Sequence, residues 1–139
     1  MSLDPERALA AALVAALKGA PAVTALVTQR VHVDAPRHPT YPCVLVSRQE
    51  SRPFGSDSDG AGVAALEHLV TVTCASKFGG PEEARALTAA VRVALHNAPL
   101  AVDGRRLVTL RVAYADVFRA ADRELSLGVL RVRAVTESV

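Results

Sequence analysis

The candidates for ligating a metal are His32, Asp34, His38, His68, His96 and the two cysteines, Cys43 and Cys74. A metal needs several such donors at fixed short spacings. His32 and Asp34 would share one face of an extended segment, and His38 lies across a loop with two prolines, but no HxxxH, HExxH or CxxC pattern is present. Nucleophilic catalysis needs a Ser or Cys held on a tight elbow beside a His, and there is no GxSxG. Ser56 and Ser58 lie in a polar stretch, and Cys74 sits in a strand-like run that reads as packed. The acid pairs have plainer readings: Glu82 with Glu83 suits a helix N-terminus, and Asp57 with Asp59 a solvated loop. Gly79-Gly80 before a helix could cradle a phosphate, but the lysine and hydroxyl of a P-loop are missing and the two glutamates would repel an anion. The expectation is therefore no enzyme, no metal and no cofactor.

Charge points to surfaces instead. The formal charge is +2, too small to argue for nucleic acid or membrane by itself. Arginine greatly outnumbers lysine, which occurs only at Lys18 and Lys77, and it crowds the C-terminal third at Arg105, Arg106, Arg111, Arg119, Arg123, Arg131 and Arg133. Such a set reads as solvated strand faces or as an interface that grips carboxylates with planar bidentate bonds. A nucleic-acid-binding α+β module is the alternative, although few aromatics interleave with the charges. The two cysteines are isolated and no secretory signal precedes them, which predicts buried free thiols in a reducing compartment.

The elements that must position these residues follow in order. A chain of 139 residues suits one domain, 1–139, with a core of small aliphatic side chains, since aromatics make up only 4%. Asp4-Pro5-Glu6 reads as a cap, a first-turn proline and a dipole-matched acid, Leu9, Leu13 and Leu17 form one stripe, and Gly19 marks the stop. Pro21 opens a second, shorter helix ending near Gln29, so the pair is expected as an N-terminal helical arm. Val31–Val33 is extended, residues 35–39 are a proline loop, and the apolar run from Tyr41 to Gln49 predicts a strand near the sheet centre. Residues 50–62 are rich in Ser, Asp, Gly and Pro and are expected as a flexible loop, in which Phe54 is either tucked onto the domain or held for a partner. Residues 64–76 alternate as a strand. The central helix is framed by Phe78-Gly79-Gly80-Pro81 and Asn97-Ala98-Pro99, with Leu87, Val91 and Leu95 on its dry side. Asp103-Gly104 predicts a hairpin into a strand over 107–118 with Val108, Leu110, Val112, Tyr114 and Phe118 inward, and the last strand covers 125–136. The fold class is α+β: an antiparallel sheet of about four to five strands packed by one long central helix.

With these segments in view, nearly the whole chain resembles the phage and gene transfer agent tail-completion family, which includes tail terminators and tail-to-head joining proteins. The carriers are the Ala-rich first helix, Val27-Thr28-Gln29-Arg30-Val31 before the proline loop, Tyr41-Pro42-Cys43-Val44, the acid-and-serine loop, Phe78-Gly79-Gly80-Pro81-Glu82-Glu83-Ala84, Val91-Arg92-Val93-Ala94-Leu95-His96, and Gly128-Val129-Leu130-Arg131-Val132-Arg133-Ala134. The resemblance implies a structural, non-catalytic subunit that assembles with itself as a ring, commonly a hexamer. Such a ring caps the tail-tube protein, stops its polymerisation and meets the head-side connector or stopper protein, with DNA present only in transit and no membrane involved. It also implies assembly in the cytoplasm and a final place at the head–tail junction. A ring needs two different complementary patches on each copy. The candidates are Arg52, Phe54, Asp57 and Asp59 on one side and Arg131 and Arg133 on the other, with Arg131 or Arg133 of one copy expected to meet Asp57 or Asp59 of the next.

Overall fold

The computed structural model describes residues 4–55, 64–77, 81–121 and 124–139. Asp4 caps α1 (Pro5–Lys18), its side chain accepting the Arg7 N–H at 3.0 Å, and the Gly19 N–H closes the helix on the Ala15 carbonyl. Leu9, Leu13 and Leu17 are fully buried, and so are Val23 and Val27 of α2 (Pro21–Val27). The expected N-terminal helical pair is thus present, and it packs its apolar stripe into the core. No single helix is long and apolar enough to cross a membrane.

The sheet has the order β1-β2-β3-β5-β4, formed by β1 (Val31–His32), β2 (Cys43–Pro53), β3 (Ala65–Ser76), β4 (Arg105–Arg119) and β5 (Ser126–Ser138). Its four long strands are antiparallel as expected, but β1 pairs parallel with β2, which makes the sheet mixed. β3 is the central strand, and β2 lies beside it. The ladder also extends further into the polar stretch than its composition suggests: β2 runs to Pro53, and the Phe54 N–H still reaches the Ala65 carbonyl. Asp57 and Asp59 lie outside the described residues.

One face of the sheet is dry. Leu66, Val70, Val72 and Cys74 of β3 and Leu130, Val132 and Ala134 of β5 are buried there under α3 (Glu82–Leu95), which contributes Ala84, Leu87, Val91 and Leu95. The closest approach is at Gly128: a Cβ there would overlap the Thr88 side chain, whose hydroxyl donates to the Ala84 carbonyl at 2.7 Å. Two 14-residue helices, α1 and α3, share the cover. Asp103-Gly104 does turn the chain, with Gly104 at φ +74° and the Arg105 N–H on the Val102 carbonyl, but it leads from the connector after α3 into β4 instead of joining two strands.

The inward set predicted for β4 is correct only at Leu110 and Val112. The register slips between Leu107 and Thr109 and again between Val112 and Tyr114. Each extra residue reverses the alternation. Leu107, Leu110, Val112, Ala115 and Val117 thus stand opposite the inward residues of β5, while Tyr114 and Phe118 stand opposite Arg131 and Leu127 on the other face. Val108, Tyr114 and Phe118 are exposed.

Candidate assembly surface

The face of the sheet turned away from the helices collects most of the residues expected to bind partners. On β2, Arg52 stands opposite Glu67 of β3; on β5, Arg133 stands opposite Leu69, one pleat along. Glu67 receives both arginines, Arg52 Nε at Oε1 and Arg133 Nε at Oε2, each at 2.5 Å. These two hydrogen bonds, that from Arg133 first, hold the Glu67 carboxyl below its ordinary range. Phe54 lies against the same cluster, with the Arg133 guanidinium 5.6 Å from its ring centroid. The phenyl ring is nevertheless half exposed, so Phe54 is both tucked onto the domain and presented outward. Arg131 lies further along β5, over the Tyr114 ring at 5.8 Å. Arg52, Phe54 and Arg133 are thus brought together, Arg131 shares their face, and Asp57 and Asp59 fall outside the described residues.

Glu67 is the residue that the sequence analysis missed. Its only signal is its place in the polar alternation of β3, and its meaning depends on a register that pairs it with strands 15 residues before and 66 after. The arginine crowding is also partly resolved. Arg105 turns inward, donating from Nε to Thr136 Oγ1 at 2.8 Å and from its terminal nitrogen to the Thr136 carbonyl at 3.2 Å. Arg106 pairs with Glu137. Arg105, Arg106 and Arg133 of the C-terminal set are thus engaged with partners inside the chain.

The residues tested for chemistry have structural positions. Cys43 and Cys74 are free and buried. Burial pushes the Cys74 thiol up to about 12 and raises that of Cys43, so both are protonated at neutral pH and poor nucleophiles. His68 has no exposed surface and bridges Ser51 Oγ at 2.9 Å and Thr136 Oγ1 at 2.8 Å, one ring nitrogen to each. A serine within reach of a histidine is half of a nucleophile–base pair, but the orienting partner here is Thr136, itself held by Arg105, and burial pushes the imidazole below its usual range. The result is a polar cross-link through β2, β3, β5 and β4. His96 ends α3, as expected, and its Nδ1 accepts the Val112 N–H at 3.1 Å. Among the described residues no group of three or more His, Cys, Asp and Glu side chains is arranged to hold a metal ion.

The outer face of the sheet is thus open and charge-rimmed, over a small aliphatic core. The family described as Tail completion protein gp17 matches residues 11–137. This chain belongs to that family. Among solved structures it is similar to a chain of the virion of the native gene transfer agent (GTA) particle, with 27% sequence identity and a TM-score of 0.86, over 99% of this chain and 100% of that one. No curated protein matches it. Membership of the tail completion family gives the chain a structural role in a phage-like tail.

Proposed function

We propose that this tail completion protein is a tail terminator: a subunit of a ring, six-fold in the reading the resemblance implies, that closes the tail tube, halts its polymerisation and joins it to the head-side connector, with DNA passing through. The observation that carries the proposal is the match along the whole chain to a component of a gene transfer agent particle, within a family named for completing tails. The fold supplies a rigid slab with one covered and one open face, which suits a subunit repeated around an axis. Its partners would be its own copies, the tail-tube protein and the connector, and it would assemble in the cytoplasm before taking its place at the head–tail junction.

In this proposal the contact between copies expected from the sequence takes Arg131 as its cation, because Arg133 is already held by Glu67. Arg131 of one copy then meets Asp57 or Asp59 of the next. Negative-stain electron microscopy of the chain mixed with its tail-tube protein tests the ring directly, with ring-shaped caps expected at one end of each tube. Arg131→Glu should reduce capped ends about tenfold, a loss typical of a contacting charge pair. Capping by Arg131→Glu equal to that of the wild type would remove this pair from the proposal, and tubes without caps would remove the ring.

A further inference from the structure

The two edges of the sheet are built differently and flanked by different grooves. At one edge β1 covers β2 only at Val44 and Leu45, so the strand is open beyond that point. Beside it, Asp4, Glu6, Arg7, Ala10 and Ala11 of α1 and its cap, with Gln49 and Val33, line an open groove of about 570 Å³. Its floor is apolar, Val33 is half exposed, and its lining carries two acids, Asp4 and Glu6, and one arginine, Arg7, with Arg105 of β4 also within electrostatic reach of Glu6. Gln49 ties this edge to the helix by donating to the Glu6 carbonyl at 2.9 Å.

At the other edge β4 is the last strand. Its middle is sealed from within the chain: the Asn97 N–H takes the Leu110 carbonyl at 2.9 Å, and the His96 ring takes the Val112 N–H. Past the second bulge that seal ends, and Ala115, Asp116 and Val117 form a groove of about 230 Å³ with Arg85, Thr88, Ala89 and Arg92 of α3. This floor is apolar too, but here two arginines stand against one acid. Arg85 is tied only loosely, to exposed Glu82 at 3.6 Å.

We infer that these two flanks are the heterologous interface between copies: the Asp4–Glu6 flank beside β2 of one subunit seats on the Arg85–Arg92 flank beside β4 of the next. The inference rests on the ring proposed above and specifies which surfaces close it. A ring needs two unlike patches at opposite ends of the subunit. These two lie at opposite edges of one sheet, on the same helical side, with apolar floors and opposite excess charge. Electrostatic complementarity of this kind sets which surfaces meet and in what orientation. The seal over Leu110 and Val112 keeps the middle of β4 from pairing with stray strands and leaves the Ala115–Val117 end available.

Because the contact is between unlike surfaces, two defective variants should repair each other. Glu6→Arg spoils only the β2 flank, and Arg85→Glu with Arg92→Glu spoils only the β4 flank. Assembly of the full chain with tail-tube protein is followed by mass photometry and electron microscopy, with thermal melting as a check that each variant is folded. Each variant alone should need about tenfold or more protein to assemble, and the equimolar mixture should assemble as the wild type does, since the swapped charges again match. If Glu6→Arg does not fold, Val33→Arg on the same flank replaces it. Variants that assemble like the wild type, or a mixture as defective as its parts, overturn this interface while leaving the ring in place. A wild-type chain that never assembles, with tube protein or without, overturns both.

Discussion

Glu67 accepts from Arg52 on one neighbouring strand and from Arg133 on the other, so a single carboxylate joins the three strands β2, β3 and β5 on the outer face. Its depressed pKa has a definite consequence for stability. The stabilisation is present in full above the ordinary value of 4.5 and is lost as pH falls through the lower folded value. Glu67→Gln should therefore cost about 1–2 kcal/mol at pH 7 and flatten the acid limb of a urea-unfolding series below pH 4.5. His68 acts higher on the scale. Its folded pKa lies below 6.5 because burial disfavours the cation, with Arg105 adding to that and Glu6 opposing it. Stability is thus complete above about 6.5 and declines as pH falls from there through the folded value. His68→Gln should remove the part of the slope just below pH 6.5, whatever it does to stability at neutral pH. Neither role is visible in the sequence, because both depend on which residues the strand register places opposite one another.

Helices and turns carry their signals locally, and their positions were legible. Asp4-Pro5, Gly19 and Asn97 sit at helix ends as their backbone chemistry requires, Asn97 with φ +60°. β4 shows where local reading fails. Alternation assumes an uninterrupted ladder, and two single-residue slips turn Tyr114 and Phe118 outward. Nothing in the side-chain pattern marks Val108 or Ala113 as the extra residues. The α3–β5 crossing is likewise a tertiary fact: Gly128 is required by Thr88, 40 positions earlier in the chain. Gly128→Ala should destabilise the fold by roughly 1–3 kcal/mol through overpacking, measured by chemical unfolding. Adding Thr88→Ala should recover part of that loss, since it removes the overlapping hydroxyl. Leu13→Ala, at a fully buried position of α1, should cost about 2–5 kcal/mol, measured by the same unfolding.

For the whole molecule, the α+β class and the family were within reach of the sequence because the order of segments, more than any one of them, carries the likeness. The proposed assembly surfaces were only partly legible. Arg52, Phe54, Arg131 and Arg133 share a face, but the two edge grooves arise from α1 meeting β2 and α3 meeting β4, and no segment announces either. The central claim is that this chain ends a tail tube, and it is tested most directly by polymerising the tail-tube protein with and without the purified chain and measuring tube lengths by electron microscopy. The account predicts that added chain binds tube ends and arrests growth, giving short tubes whose length falls as the ratio of chain to tube protein rises. Tubes that keep growing at saturating chain, with none of it at their ends, would contradict it.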